Sequence, residues 1–175
     1  MKQQRGAVLA ISLIILLVLT ILVLSSNQQV VLQEKMTASV RDAHLSREAA
    51  EFALVDASAK IEALTGTSGF SDDGTGGYYK KDKGPVDLFA SGNWVSGKTM
   101  SGSMTVNGQT LDYSYYIEEL GIIPVPDDEL GGVNMMGYGQ TSGGGDVTAF
   151  KVVARALGMS GTAERLVVSY YGKRL

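Results

Sequence analysis

The chain contains an uncharged apolar run, AVLAISLIILLVLTILVL, at residues 7–24. Ser12 and Thr20 are its only polar residues, and no charged residue occurs from position 6 to position 33. As a helix with a rise of about 1.5 Å per residue, the run is about 27 Å long, close to the hydrocarbon thickness of a bilayer. Lys2 and Arg5 precede it, so the positive-inside rule predicts a cytoplasmic N-terminus and a periplasmic remainder.

Two other interpretations of this run have less support. The core helix of a soluble protein rarely stays uncharged for so long. A secretory signal peptide also has a basic start and an apolar centre. Cleavage near Ser25 and Ser26 would need small residues just before it, and Val23 and Leu24 interrupt that pattern.

The helical pattern continues beyond the apolar run, because neither Gly nor Pro occurs from residue 7 to residue 65. Its second part is amphipathic: apolar residues at helical spacing form one stripe, consisting of Ala50, Ala53, Leu54, Ala57, Ile61 and Leu64. Charged residues lie off this stripe, namely Glu48, Glu51, Asp56, Lys60 and Glu62. The sequence therefore predicts one helix of about 85 Å, with its first half in lipid and its second half on a domain.

Turn residues divide the rest of the chain into loops and strands. Thr65-Gly66 ends the helix, and a loop rich in Gly, Ser and Asp follows over residues 66–84. Asn107-Gly108 is a strong type I′ hairpin signal that joins predicted strands at 103–106 and 110–120. The second strand alternates through Leu111, Tyr113, Tyr115 and Ile117.

A second predicted hairpin joins residues 150–157 to residues 163–171 across a turn at 158–161, after a Gly-rich loop that reaches about Val147. The predicted fold class is α+β, with the long helix packed on a small antiparallel sheet of about four strands. Trp94 is predicted to anchor core packing, with an exposed binding aromatic as the alternative.

Composition excludes several classes of chemistry. The chain has no Cys, which excludes disulfides, thiolate zinc sites, a lipoprotein anchor and a cysteine nucleophile. Its formal charge of −3 gives no basic excess for nucleic acid. His44 is the only histidine, and we expect it on a solvated helix face, where it makes neither a triad nor a metal cluster.

The remaining polar motifs predict loops and interfaces rather than a catalytic residue, a metal or a cofactor. Asp72-Asp73-Gly74 and Asp127-Asp128-Glu129 lack EF-hand spacing, so solvated turns are expected in preference to calcium sites. Gly143-Gly144-Gly145-Asp146 lacks the Lys-Ser/Thr of a P-loop. Three tyrosine pairs suit strands and rims, with a protein interface as the alternative: Tyr78-Tyr79, Tyr115-Tyr116 and Tyr170-Tyr171.

Several segments together resemble the PilX-type minor pilins of type IV pili. The N-terminal ones are Gln4-Arg5-Gly6-Ala7 with its apolar continuation, LQEKM at residues 32–36 and EAAEFAL at residues 48–54. The C-terminal half adds YIEELG at residues 116–121 and VVARALG at residues 152–158. Residues 66–110 carry no such resemblance.

The resemblance implies cleavage by a prepilin peptidase between Gly6 and Ala7, followed by N-methylation of Ala7. It also implies a division into a leader (1–6), a transmembrane and filament-core helix (7–27), an amphipathic continuation (28–65) and a periplasmic head (66–175). The protein would begin in the bacterial inner membrane with a single span and would then enter a pilus on the cell surface.

Position 11 departs from the major pilins, which carry Glu as the fifth residue after the cut. Ile11 stands there in this chain, as in PilX-like subunits, and this favours a minor pilin. Its implied partners are the prepilin peptidase, other minor pilins, the major pilin and a tip adhesin. A pseudopilin of a type II secretion system and a membrane-anchored periplasmic binding module or enzyme remain the alternatives.

Replacing Gly6 tests the predicted cut. We expect Gly6→Val to leave the precursor six residues longer, because a branched side chain would occupy the position next to the scissile bond. Cleavage of the unaltered chain removes Lys2 and Arg5 and so shifts the formal side-chain charge from −3 to −5. Intact-mass measurement of the membrane-extracted protein reads both effects, and normal processing of the variant would contradict the prediction.

Overall fold

The computed structural model describes residues 5–124 and 146–175, and it divides into two compact units, Met1–Arg41 and Asp42–Leu175. One helix, α1 (Arg5–Ala63), runs through both units. The strands are β1 (Tyr78–Tyr79), β2 (Met100–Val106), β3 (Gln109–Ile123), β4 (Val147–Leu157) and β5 (Glu164–Lys173), with single 3₁₀ turns at Thr75–Gly77 and Ser91–Asn93. The predicted α+β class, a long apolar helix packed on a sheet, is confirmed.

The first unit consists of the exposed part of α1. The two hydroxyl groups of its apolar run are satisfied within the helix: Ser12 Oγ donates to the carbonyl of Leu9 (2.9 Å) and Thr20 Oγ1 to that of Leu17 (2.7 Å). Such internal hydrogen bonds let a helix leave water without an orphaned donor. Among the described residues, α1 is the one helix whose length and composition suit a membrane span.

In the second unit the predicted stripe of α1 is buried against the sheet. Ala50, Ala53, Ala57 and Ile61 are fully buried, and Leu54 and Leu64 pack at the margin. The buried face begins earlier than predicted, because Asp42, Leu45, Ser46 and Ala49 are buried as well. Because Asp42 and Ser46 are polar, a search for apolar residues at helical spacing does not detect this extension. Alanine on the buried face lets the helix backbone approach the sheet closely.

The sheet is built on β3 and β4. These strands pair antiparallel from Tyr113↔Ala156 to Ile123↔Val147, and β5 continues the sheet antiparallel on β4. On the other edge of β3, β2 pairs antiparallel and β1 parallel. Among the described residues the sheet is therefore mixed and five-stranded, which corrects the predicted antiparallel sheet of about four strands. The additional strand β1 has two residues, too few for its alternation to be seen inside the Gly-rich segment.

The hairpin at Asn107-Gly108 is confirmed. Both residues have positive φ (51° and 76°), as a type I′ turn requires. The strands extend beyond the predicted limits, because β2 begins at Met100 rather than 103 and β4 at Val147 rather than 150. Near the far end of β3, a register shift between Glu119 and Gly121 marks an irregularity of the ladder, and Gly121 has φ 100° there.

Apolar clusters lie on both faces of the sheet. The alternating residues of β3 point toward α1 and join its core, as predicted: Leu111, Tyr113, Tyr115 and Ile117. On the other face, Tyr79, Tyr116 and Val153 form a second cluster, against which Leu88, Trp94 and Leu166 pack. Trp94 thus serves packing, as predicted, but on the face away from α1.

The alanine face of α1 gives a matched pair of substitutions. Ala57 is fully buried, whereas Ala59 on the same helix is exposed. We expect Ala57→Leu to lower the free energy of unfolding by about 1–3 kcal/mol, because the added carbons have no space against the sheet. Ala59→Leu should change it by less than about 0.5 kcal/mol.

Denaturant titration of the full chain in detergent, followed by the fluorescence of the single tryptophan Trp94, measures both variants. Equal destabilisation by the two substitutions would contradict the packing of α1 on the sheet.

Candidate assembly site

The residues predicted to direct assembly lie in the first turns of α1. The helix begins at Arg5, so the Gly6–Ala7 bond lies in its first turn. Ala7 and Ile11 are four residues apart, lie on one face of the helix and are both exposed. Cleavage at Gly6–Ala7, methylation of Ala7 and the role of Ile11 stay predictions.

The apolar side chains that follow form a large uncovered surface. Between residues 8 and 24, their exposed fractions range from 50% at Val18 to 70% at Leu9. A contiguous apolar surface of this size leaves water only by contact with lipid or with other apolar helices. The segment has the properties of a membrane anchor and of a helix that packs in an assembly.

Asp42 fastens α1 to the turn between β4 and β5. Its carboxylate accepts hydrogen bonds from the hydroxyl and the backbone N–H of Ser160, the latter at 3.2 Å. Gly158 packs so closely that a Cβ there would lie 2.4 Å from Asp42 Oδ1. The hydrogen bonds from Ser160 lower the pKa of Asp42, and partial desolvation opposes them.

The C-terminal end of α1 is closed by a lysine from the last strand. Lys173 Nζ donates to the carbonyls of Ile61 (3.1 Å), Glu62 (2.6 Å) and Leu64 (2.6 Å). Carbonyls at the end of a helix lack the donors of a following turn, and a cation there also compensates the helix dipole. The Ile61 carbonyl accepts in addition from the backbone N–H of Leu64 (3.0 Å). Tyr171 adds a hydrogen bond from its hydroxyl to the Glu62 carboxylate.

Asp56 joins the middle of α1 to β3. Its Oδ2 accepts hydrogen bonds from the hydroxyls of Tyr115 (3.0 Å) and Tyr113 (3.4 Å). Burial raises the pKa of Tyr115, and the hydrogen bond to Asp56 raises it further. The sequence placed Asp56 off the apolar stripe but gave no sign of these partners, which lie 57 and 59 residues away.

Two ion pairs lie on the outer face of the sheet. Lys151 Nζ lies 3.0 Å from Glu118, whose side chain is 5% exposed. Arg155 pairs with Glu164 at 2.5 Å and stacks over Trp94 at 5.6 Å from the ring centroid. Trp94 Nε1 donates to the Leu88 carbonyl (2.8 Å). These contacts hold the segment containing Trp94 on the sheet.

The acidic turn at residues 72–74 makes local contacts. Asp72 pairs with Lys80 (3.2 Å), and Asp73 accepts a hydrogen bond from Thr75 Oγ1 (2.9 Å). Hydrogen bonds from Ser71 and Thr75 lower the pKa of Asp73. Across residues 5–124 and 146–175, no three metal-ligating side chains come together. The predicted turn at 127–129 and the glycines at 143–145 lie outside the described residues, and His44 is exposed, as predicted.

One long apolar N-terminal helix, packed through its later residues on a mixed sheet, defines a pilin-like α+β protein. Residues 5–55 match the family model described as PilX N-terminal. This match supports the PilX-type type IV pilin family, whose members are structural rather than enzymatic in general. No curated protein and no solved structure matches the chain.

The clamp at Asp42 predicts a pH-dependent contribution to stability. A carboxyl whose pKa is lowered by folding stabilises the fold above its unfolded pKa, and this contribution is lost as the pH falls through the folded pKa. We therefore expect the wild type to be more stable than Asp42→Asn above about pH 5 and the difference to shrink toward about pH 2.

Denaturant titrations at several pH values measure this difference through Trp94 fluorescence. Glu48→Gln, an exposed carboxylate on the same helix, is the matched control and should show no such convergence. A difference between wild type and Asp42→Asn that stays constant across this pH range would count against the clamp.

Proposed function

We propose that this protein is a minor pilin, a structural subunit that primes assembly of a type IV pilus and occupies its tip. The PilX N-terminal match and the long apolar helix support a pilin. The observation that carries the finer role is Ile11, an apolar residue at the fifth place after the proposed cut.

Processing prepares the subunit for assembly in this proposal. A prepilin peptidase cuts between Gly6 and Ala7 at the cytoplasmic edge of the inner membrane, and the new amine of Ala7 is methylated. The single span then holds the head in the periplasm until the subunit enters a filament. The apolar surface of residues 8–24 suits both environments, since lipid and a bundle of apolar helices both exclude water.

The cut creates a charge that a filament core would bury. An unpaired buried charge costs several kcal/mol, so the amine needs a carboxylate nearby. In major pilins, the fifth-position Glu of one subunit meets the amine of the subunit above it. The first carboxylate after Ala7 in this chain is Glu34, about 40 Å further along the helix. This subunit therefore offers no carboxylate to a subunit above it.

That deficit matters least at the first position of an assembly. A subunit at the tip has no amine above it to neutralise, and its own amine can still meet a Glu from the subunit below. The partners of such a subunit are other minor pilins and the major pilin beneath it, with a tip adhesin beside or above it.

An epitope tag on the head and a carboxylate introduced at residue 11 together test the tip position. We expect an epitope-tagged wild-type head to label one end of sheared filaments. Ile11→Glu should spread the label along the shaft, because the variant can neutralise an amine above it. Ile15→Glu places the same charge one turn further along α1 and should not spread the label. Immunogold electron microscopy of the three strains reads the distribution.

Label along the shaft in the wild type, or none on filaments, would contradict the tip role. N-terminal sequencing of the membrane-extracted protein separates this outcome from failure of the pilin assignment itself. A start at methylated Ala7 keeps the chain among pilins and pseudopilins, whereas an intact Met1 or a start near Ser26 indicates a membrane-anchored module.

A further inference from the structure

Residues 81–96, named the strap here, lie on the outer face of the sheet between two backbone contacts. At one end the N–H of Lys80 donates to the Ser71 carbonyl (3.0 Å), and at the other the N–H of Gly76 donates to the Gly97 carbonyl (2.7 Å). No residue of the strap is buried. Residues 81–96 therefore cover the sheet without belonging to its core.

Two half-buried side chains supply the apolar contacts of the strap. Leu88 and Trp94 pack against the outer cluster of Tyr79, Tyr116 and Val153. The neighbouring apolar residues of the strap point into solvent, with Val86 99% and Phe89 72% exposed. The apolar attachment of sixteen residues thus depends on two of them.

Polar contacts between the strap and the rest of the described residues are long. The N–H of Gly84 lies 3.5 Å from Glu118 Oε1, and Lys83 Nζ lies 4.0 Å from the exposed carboxylate of Asp72. Arg155 adds a contact with the face of the strap's tryptophan. No backbone hydrogen bond joins residues 81–96 to a strand within the described part of the chain.

The shorter hydrogen bonds of the strap are internal. Asn93 Nδ2 donates to the Asp87 carbonyl (2.8 Å), and Trp94 Nε1 donates to the Leu88 carbonyl (2.8 Å). These bonds join the two arms of the strap to each other, not to the sheet. They need not break when the strap leaves the sheet, which favours movement of the strap as one piece.

A buried hydroxyl beneath the strap opposes its closure. Tyr116 is 1% exposed, and its hydroxyl has no hydrogen-bond partner among the residues that the structure describes. The strap lies against this side chain, because the Trp94 ring centroid is 5.9 Å away and a Cβ at Gly84 would lie 3.3 Å from Cε2. A hydroxyl buried without a partner loses its hydration, and it regains that hydration when the cover is removed.

We propose that the strap opens as a unit while α1 and the sheet stay folded, and that it thereby controls access to the outer face of the sheet. Local opening is easiest where few apolar contacts and few hydrogen bonds are lost. Opening uncovers Tyr79, Tyr116 and Val153, whereas the face against α1 is uncovered only when α1 leaves the sheet. The inference stands independently of the proposed role in a pilus.

Adjacent valines of β4 provide matched probes, because the chain has no cysteine of its own. Val153 lies in the outer cluster and Val152 in the core against α1, and both are buried. In the full chain in detergent, we expect Val153→Cys to react with a water-soluble aromatic disulfide at least about tenfold faster than Val152→Cys. Urea should accelerate Val152→Cys steeply and Val153→Cys only slightly, because opening the strap exposes little surface.

Further substitutions separate strap opening from global unfolding. In the Val153→Cys background, Leu88→Ala should speed labelling about tenfold, and Phe89→Ala, its exposed neighbour, should change it by less than about twofold. Tyr116→Phe should slow the same reaction about fivefold, because it removes the hydroxyl that closure leaves without a partner. Ala57→Leu weakens the contact of α1 with the sheet and should speed labelling of Val152→Cys alone, by about tenfold.

The wild-type chain provides a second readout. Tyr115 and Tyr116 are both 1% exposed and lie on opposite faces of the sheet. Nitration with tetranitromethane, located by fragmentation mass spectrometry, should modify Tyr116 first. Equal nitration of the two tyrosines would overturn the proposal. Equal labelling of Val153→Cys and Val152→Cys with the same dependence on urea would overturn it as well, because the outer face would then open only by global unfolding.

Discussion

The small-residue face of α1 is the contact on which the second unit depends. Ala49, Ala50, Ala53 and Ala57 are fully buried, so the helix lies close to the aromatic and branched side chains of β3 and β4. Packing this close is sensitive to side-chain size, because a larger side chain clashes and a smaller one leaves a cavity. Neither the helix segment nor the sheet has another apolar partner of comparable extent among the described residues.

Three polar contacts fix how the helix lies on the sheet. Asp42 binds the β4–β5 turn through Ser160, Asp56 accepts hydrogen bonds from Tyr115 and Tyr113, and Lys173 closes the helix end. Apolar packing tolerates small sliding movements, whereas hydrogen bonds to charged groups hold specific atoms at specific distances. Spread along the buried part of α1, these contacts restrict its rotation and its translation together.

The first part of the same helix differs sharply in surface chemistry from the sheet. Its first part exposes a long uncharged surface, whereas two ion pairs, Lys151–Glu118 and Arg155–Glu164, lie on the outer face of the sheet. A pilin needs an apolar surface that lipid or other subunits can cover, and the exposed side chains of residues 8–24 form one.

Local pattern in the sequence determined the long helix, the stripe from Ala50 to Leu64 and the type I′ turn at Asn107-Gly108. These features depend on residues within a few positions of one another, where periodicity and turn propensity act. The sequence by itself also placed the apolar run and its resemblance to PilX-type pilins, since both are contiguous stretches.

Tertiary structure alone decided the parallel pairing of β1, the outer cluster around Trp94 and the partners of Asp42, Asp56 and Lys173. Each of these depends on groups brought together from distant parts of the chain, as with Lys173 and the carbonyl of Leu64, 109 residues apart. From the sequence alone, Lys173 would be expected in solvent. Its partner carbonyls come within reach only because the end of α1 lies beside β5 in the folded chain. The helix, its stripe and the type I′ turn depend on residues that are close together in the sequence. The long-range contacts depend on the burial of one apolar face against another, which only folding brings about.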